Sequence, residues 1–178
     1  MAKLELRASA AADLPAITTI YTHHVLHGLA SFEIEPPSLD EMRARHDSIV
    51  GHGYPYLVAT QDDHLVGYAY ASHYRTRPAY RFSVEDSIYV APDDVGRGIG
   101  KRLLERLIKE CEARGYRQIL AVIGDSANAA SIALHRACAF EQVGVLPSIG
   151  FKFNRWVDSV LMQRPLGDGD RTLPQQGA

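Results

Sequence analysis

The spacing of apolar residues along the chain predicts a fold that mixes strands and helices. In seven short stretches apolar residues alternate with polar ones or run together, the pattern of strands with one or both faces buried. These stretches are the segment around Leu4 and Leu6, YLVA at 56–59, LVGYAYAS at 65–72, SVEDSIYV at 83–90, QILAVI at 118–123, EQVGVLPS at 141–148 and RWVDSVLMQ at 155–163. The last two are expected to pair antiparallel, as are the second and third around the turn QDDH.

Four further stretches carry apolar residues at helical spacing. The first begins at Asp13, and the second follows Ser38 and Glu41, whose S-x-x-E spacing is that of a capping box. The third runs from Gly98 to a cap near Gly115, and the fourth is NAASIALHRAC at 128–138. The resulting order, β-α-α-β-β-β-α-β-α-β-β, predicts the α+β class with a mixed sheet rather than a doubly wound parallel one.

The composition narrows the function mainly by exclusion. The 178 residues suffice for one domain, which we place at 1–166, and the tail 167–178 lacks apolar anchors and is expected to be disordered. Hydrophobic residues make up 46% and charged residues 22% of the chain, with a formal net charge of −2. This balance gives no reason to expect nucleic acid or a membrane as a partner.

Cysteine usage and the N-terminal sequence favour the cytoplasm. Cys111 and Cys138 form no C-x-x-C pair, so neither a disulfide framework nor a thiolate zinc site is expected. The start, MAKLELRASAAADLP, has no long apolar core, and no run approaches the roughly 20 apolar residues that span a bilayer. His23 and His27 are four residues apart, but no third ligand is indicated, so no metal is expected.

A glycine-rich segment, Gly96-Arg97-Gly98-Ile99-Gly100, joins the fourth predicted strand to the third helix. Glycines allow close approach of the backbone, and the first amides of a helix are free donors at its positive end, which suits a pyrophosphate. A Walker loop would need Ser or Thr after Lys101, where Arg102 stands, and the fingerprint G-x-G-x-x-G is one residue longer. Two interpretations of the segment remain open. One is the pattern [QR]-x-x-G-x-[GA], with Val95 in its first position, and the other is a turn without a ligand.

A second motif, NAASIALHRACAF, begins 28 residues after Gly100. At that distance the GNAT acyltransferase superfamily carries N-x-x-S-x-x-L-Y-x-x-x-G-F, and Asn128, Ser131, Leu134 and Phe140 match it. The chain therefore resembles this superfamily, to which the pattern [QR]-x-x-G-x-[GA] also belongs.

Four longer segments resemble one branch, the phosphinothricin and methionine sulfone/sulfoximine N-acetyltransferases. They are SFEIEPPS, RTRPAYRFSVEDSIYV, AVIGDSANAASIALH and GFKFNRWVDSVLMQ, and the likeness runs from about residue 4 to 166. The chain departs from the superfamily at Val95, where Gln or Arg is usual, and at His135, which replaces Tyr but is usual in this branch. Ala139 replaces a helix-ending glycine, at a cost on the order of 1 kcal/mol if that position is left-handed.

The resemblance implies the GNAT fold, a mixed, mostly antiparallel sheet of about seven strands flanked by about four helices. It implies an N-acetyltransferase that uses acetyl-CoA as co-substrate, without a metal, and that forms a homodimer. The acceptor would be the amino group of a small amino acid or analogue of the phosphinothricin, methionine sulfone or sulfoximine type. The residues expected to hold acetyl-CoA are Ile88, Tyr89, Val90, Gly96, Arg97, Gly98, Ile99, Gly100, Lys101, Asn128 and Ser131.

Two residues are expected to be catalytic. Glu85 aligns with the base of the branch, and a base is needed because an amine of pKa near 9 to 10 is mostly ammonium at neutral pH. Asp86 is expected on the opposite face of the strand, with a smaller part in catalysis. His135 occupies the position that protonates the leaving thiolate, and could instead serve as a second base through water.

Acceptor recognition is expected from two segments. One contains Phe32 and Glu33, and the other is the loop that carries Arg75, Thr76, Arg77 and Tyr80. Arginine suits carboxylate and phosphinate oxygens because it can donate two parallel hydrogen bonds.

Two other functions are compatible with these motifs. The same fold could acetylate a polyamine, an aminoglycoside or a protein N-terminus, although the arginine-bearing loop disfavours polycationic acceptors. The chain could also be a CoA-binding regulatory module without turnover, against which the presence of both Glu85 and His135 argues.

Overall fold

The computed structural model describes residues 3–174, which form a seven-stranded sheet in the order β1-β2-β3-β4-β5-β7-β6. The strands are β1 (Leu4–Ala8), β2 (Tyr56–Gln61), β3 (His64–His73), β4 (Ser83–Val90), β5 (Gln118–Gly124), β6 (Glu141–Lys152) and β7 (Arg155–Pro165). The helices are α1 (Leu14–His27), α2 (Leu39–Gly51), α3 (Ile99–Ala113) and α4 (Ala129–Ala137). The predicted class, element order and antiparallel final pair are confirmed.

The helices cover the two faces of the sheet and enclose two apolar clusters. Helices α3 and α4 cover one face, where six α3 side chains from Ile99 to Cys111 are at most 3% exposed. Helices α1 and α2 cover the other face, where Leu14, Ile17 and Val25 pack against a group of tyrosines that includes Tyr68 and Tyr89. The central strands are therefore buried on both faces, which explains their continuous apolar runs.

The predicted starts of α1 and α2 are each stabilised by a side-chain contact. The Asp13 carboxylate precedes α1 and forms a two-pronged ion pair with Arg7 of β1, with both N–O distances at 2.7 Å. The Ser38 hydroxyl accepts a hydrogen bond from the Glu41 amide (3.2 Å), the first half of the predicted capping box.

The final hairpin is longer than predicted. Strand β6 was expected to end at Ser148 but continues to Lys152, with a register shift between Leu146 and Gly150. Pro147 lacks an amide donor and Ser148 has φ +52°, so the strand passes both residues by bulging.

Of the predicted tail, 167–178, the structure describes residues 167–174. Residues 167–174 pack back on the domain, because the Arg117 guanidinium donates to the Thr172 hydroxyl (2.8 Å) and the Leu173 carbonyl (3.2 Å). The rest of the predicted disordered segment, 175–178, lies outside the described residues. Among residues 3–174, no helix is long and apolar enough to cross a bilayer.

The end of α4 offers a test of the helix-ending position. Ala139 has φ +62°, in the left-handed region that disfavours a β-carbon, so Ala139→Gly should stabilise the protein. We expect the free energy of unfolding to rise by about 0.5–1 kcal/mol, after the greater entropy of glycine in the unfolded chain is deducted. In calorimetry each kcal/mol corresponds to a rise in Tm of about 2–4 °C. Ala133→Gly, at an exposed position inside α4, is the matched control and should lower Tm. A fall in Tm for both variants would contradict the assignment.

Candidate active site

The site originates in an interrupted strand pair. Strands β4 and β5 run parallel and pair over three positions, from Ser83 with Gln118 to Glu85 with Leu120. Beyond Glu85 the strands separate, and between them lies a cavity of about 770 Å³. This volume is in the range of small-molecule and cofactor sites.

The cavity brings together most of the predicted residues. Of those expected to hold the co-substrate, residues 88–90, Gly96, residues 98–101, Asn128 and Ser131 line it, and Arg97 does not. Of the other predicted site residues, Glu85, His135, Phe32 and Glu33 line it, and Arg75, Thr76, Arg77 and Tyr80 do not.

The glycine loop has the backbone geometry of an anion site. Gly96 and Gly98 have φ values of +83° and +79°, and Gly98 is the N-cap of α3. The Arg102 amide donates to the Gly98 carbonyl (3.2 Å), the first bond of the helix, so the amides before it have no helical partner. These donors and the Lys101 side chain lie at the positive end of the helix dipole.

Two other loop residues have structural roles. Arg97 forms an ion pair with Asp94 and is half-exposed, so its charge lies beside the cavity rather than in its wall. A β-carbon on Gly100 would lie 3.3 Å from Leu134 Cδ2 and 3.6 Å from Val90 Cγ2. Gly100 therefore allows α3 to pack closely against α4 and β4.

The open edge of β4 presents backbone amides to the cavity. The Ala91 amide donates to the Val66 carbonyl in β3 (2.9 Å), and alternation along the strand turns the Val90 and Ile88 amides toward the opposite edge, at the cleft. His24 Nε2 donates to the Val90 carbonyl (2.9 Å), while burial lowers the pKa of this imidazole. His24 was not predicted, and its place on the inner face of α1 beside Val25 was the available signal.

Asn128 and Ser131 begin the helix on the other side of the cleft. Asn128 is the N-cap of α4, and its Oδ1 accepts a hydrogen bond from the Ser131 amide (3.1 Å). Its side-chain amide is 3.5 Å from the Gly124 carbonyl at the end of β5. Asn128 therefore fixes the start of α4 relative to β5.

Glu85 is a mostly buried carboxyl in the cavity wall. Burial, the largest cause, and the adjacent Asp86 raise its pKa from 4.5 to about 7, with Arg75 opposing both effects. A carboxyl with this pKa exchanges a proton near neutral pH, which is the property required of a general base.

Asp86 lies on the expected face of β4 and still lines the cavity. Its side chain leaves the strand on the other face from Glu85, as alternation requires, yet both residues line the cavity because the cleft opens at the strand edge. Asp86 Oδ2 lies 3.1 Å from His135 Nε2, and both side chains are almost fully buried. Asp86 is thus part of the site, a pairing between β4 and α4 that no local pattern indicates.

The segment before α2 forms the wall near Glu85. The Tyr21 hydroxyl donates to Glu33 Oε1 (2.8 Å), and Arg45 donates to the same oxygen (2.6 Å). The buried Lys152 ammonium, also not predicted, donates to the Gly28 carbonyl (2.9 Å) and the Ser31 carbonyl (2.7 Å). The charge of Glu33 is therefore already matched within the protein, and the segment is held by a cation from β6.

Two glycines make room for this segment. A β-carbon on Gly124 would lie 2.0 Å from the Leu29 carbonyl oxygen, and one on Gly150 would lie 2.5 Å from the Phe32 ring. Both positions require glycine because backbone and an aromatic ring fill the space.

The arginine-bearing loop is placed differently from the prediction. Arg75, Thr76, Arg77 and Tyr80 are exposed and lie outside the cavity wall. The loop packs on its own aromatic residues, with the Arg75 guanidinium 5.1 Å from the Tyr74 ring centre. Arg75 is nevertheless near enough to Glu85 to lower the pKa of that carboxyl. Within residues 3–174 no group of three or more His, Cys, Asp or Glu residues could hold a metal ion.

Comparison with known families and proteins agrees with this geometry. The model of the Acetyltransferase (GNAT) family matches residues 20–140. The phosphinothricin N-acetyltransferase of Alcaligenes faecalis is 60% identical over 163 residues, which cover 92% of this chain and 83% of that protein. The L-methionine sulfoximine/L-methionine sulfone acetyltransferase of Salmonella typhimurium is 38% identical, with coverage of 93% and 96%.

A solved structure gives the same result for the fold. A GNAT superfamily phosphinothricin acetyltransferase from Sinorhizobium meliloti, in complex with AcCoA, superimposes with a TM-score of 0.95 at 52% identity. The match covers 98% of this chain and 94% of that one. The predicted GNAT fold is confirmed.

The raised pKa of Glu85 predicts a pH-dependent cost in stability. Between the ordinary value of 4.5 and about 7, the folded protein holds a proton that the unfolded chain has lost, so stability falls as pH rises through this window. Glu85→Gln removes the effect, and its Tm relative to the parent should rise from pH 4.5 to 7 and then level off. Glu105→Gln, the same substitution at a half-exposed position on α3, is the matched control. If the Tm difference between Glu85→Gln and the parent did not vary with pH, the pKa of Glu85 would not be raised in the folded protein.

Proposed function

The chain belongs to the acetyltransferase (GNAT) family, and we propose that it transfers the acetyl group of acetyl-CoA to the amino group of a small amino acid or analogue. The acceptor class is that of phosphinothricin, methionine sulfone and methionine sulfoximine, after the names of the relatives. One observation carries the proposal: a carboxyl with a pKa of about 7 and a glycine loop at a helix N-terminus line the same cavity.

Acetyl-CoA would lie between β4 and α4. The amides from Gly96 to Lys101 would hold its pyrophosphate, and Lys101 adds a positive charge. Its pantetheine amides would pair with the open edge of β4 at residues 88–90, as an added strand does. The Val90 amide would face the thioester oxygen and stabilise the negative charge that develops on it.

The reaction follows from the position of Glu85. The Glu85 carboxylate takes a proton from the acceptor ammonium, directly or through water, and the freed amine attacks the thioester carbonyl carbon. A C–N bond forms, the C–S bond breaks, and the CoA thiolate leaves. The new amide nitrogen gives up its second proton, which balances the proton that the thiolate takes up. Glu33 and Asp86 are paired with Arg45 and His135, so Glu85 is the carboxylate of this wall that can attract the acceptor ammonium.

The predicted role of His135 as proton donor to the thiolate stays a prediction. Both ring nitrogens are hydrogen-bonded within the protein, Nδ1 to the Ser131 carbonyl (2.7 Å) and Nε2 to Asp86 (3.1 Å). Donation to the thiolate would first require one of these bonds to break. The contacts therefore favour Glu85 as the residue that exchanges protons with the substrate.

We further propose a cytoplasmic homodimer. The supporting feature is a row of exposed apolar side chains on the terminal hairpin: Val143, Val145, Leu146, Ile149, Phe151, Phe153 and Trp156. Strand β6 also ends the sheet, so its outer edge is free to meet another surface. Sedimentation velocity tests the proposal, and a single species of monomer mass would exclude it.

The glycine loop predicts a defect confined to co-substrate binding. Gly98→Ala places a β-carbon in a left-handed position facing open space in the cavity wall, where it should hinder the pyrophosphate and raise the Kd for CoA. Gly115→Ala at the other end of α3 is the matched control, with φ +81° and the same strain. Both variants should lose similar stability, but only Gly98→Ala should weaken CoA binding in calorimetry. Equal Kd values for the two variants would place the pyrophosphate elsewhere.

The base assignment predicts a loss in turnover with intact co-substrate binding. Glu85→Gln should lower kcat about 10²- to 10⁴-fold at pH 7 and leave the Kd for CoA unchanged. In the parent, kcat/KM should rise with pH up to about 7, because the base acts only when ionised. A near-parental kcat in Glu85→Gln would show that Glu85 is not the base.

The acceptor is tested by thiol release from acetyl-CoA with a panel of amines. Phosphinothricin, methionine sulfone and methionine sulfoximine should be better acceptors than spermidine, kanamycin or an N-terminal alanine peptide. A preference for the last three would support the alternative acceptors, and CoA binding without any thiol release would support the regulatory module.

A further inference from the structure

Asp86 occupies a particular position in the cleft. It is the first residue of β4 after the pairing with β5 has ended at Glu85 and Leu120. From there its carboxylate crosses to α4, the helix whose start carries Asn128 and Ser131. The Asp86–His135 contact therefore joins the two walls of the cavity at the point where they diverge.

The hydrogen bonds of His135 define its protonation. The Ser131 carbonyl oxygen can only accept, so Nδ1 carries a proton, and Nε2 faces Asp86 Oδ2 at 3.1 Å. The side chains of His135 and Asp86 are 5% and 2% exposed, where an unpaired charge would be costly. A charged imidazolium that donates to both oxygens satisfies this arrangement.

Asp86 also has an oxygen that the pair does not use. Its Oδ1 is buried and has no hydrogen-bond partner among the described residues. The carboxylate is thus held by His135 through one oxygen, while its charge lies one residue from Glu85.

Resting on the function proposed above, we propose that Asp86 is a positioning residue, whose carboxylate holds a charged His135 and so fixes helix α4, with Asn128 and Ser131, against the strand that carries the base. Its charge has a second effect, because Asp86 is among the causes that raise the pKa of Glu85. For His135, burial lowers the pKa, but Asp86 and the Ser131 carbonyl outweigh burial and raise it overall.

The other titratable groups near Asp86 and His135 do not supply the negative charge that faces the imidazolium. From α3, Cys111 has a pKa raised by burial to about 12, so its thiol is neutral at pH 7. Cys138, after α4, also has a raised pKa, with burial the largest cause, and the charges that act on it include Glu105, Lys101 and Arg164. The Phe140 ring packs edge-on against His135 at 5.0 Å. Asp86 is therefore the anion that directly contacts the imidazolium.

The test compares Asp86→Asn with the parent by two measurements. In ¹⁵N-histidine NMR of the resting protein, with the signal assigned by its loss in His135→Gln, the parent His135 should be doubly protonated at pH 7. In Asp86→Asn it should become neutral, because burial then acts without a counter-charge. In kinetics, the rise of kcat/KM should move from about pH 7 toward 4.5, because one cause of the raised Glu85 pKa is gone. Asp40→Asn, exposed on α2, should change neither result.

A second variant separates this effect from simple unfolding. Asp86→Val with His135→Leu replaces a buried ion pair by apolar side chains, a change that often leaves stability intact. The double variant should fold and show the same displaced pH profile, with a raised KM for acetyl-CoA. A neutral His135 in the parent, or a parental pH profile in both variants, would overturn the proposal. The NMR result needs no turnover, so its failure is distinct from a failure of acetyl transfer.

Discussion

The short pairing between β4 and β5 is the constraint on which the rest of the site depends. Three residue pairs hold these strands together, and beyond Glu85 the sheet opens between two otherwise continuous antiparallel parts. An open sheet edge in a domain interior would leave backbone donors unsatisfied. A bound molecule with amide groups would satisfy the donors of β4 at residues 88–90. The loop from Gly96 to Lys101, which suits a pyrophosphate, lines the same cleft.

The electrostatics of the cleft follow from two adjacent carboxyls with different surroundings. Asp86 has a cationic partner in His135, whereas Glu85 has burial and a neighbouring carboxylate, with the exposed Arg75 as a weak counterweight. Different surroundings give two neighbouring carboxyls different roles. Glu85 is left as the group that changes charge near neutral pH, while Asp86 stays in a fixed pair.

Local patterns were sufficient for most of the fold and for part of the site. Strand periodicity and the Ser38 cap depend on a few neighbouring residues, and they predicted the element order and the start of α2 correctly. The pairing of Asp86 with His135 spans 49 residues, and alternation along β4 pointed away from it. Charge composition likewise favoured the loop around Arg77, but the loop packs on its own aromatic rings, which composition does not reveal.

The central claim is that Glu85 is a desolvated carboxyl that holds its proton up to about neutral pH, and direct titration tests it. In ¹³C NMR of protein labelled at the glutamate carboxyl carbon, the signal that disappears in Glu85→Gln should titrate with a pKa of about 7 in the resting protein. A midpoint near the ordinary value of 4.5 would contradict the account, because the carboxyl would then lack the proton affinity that qualifies it as the base.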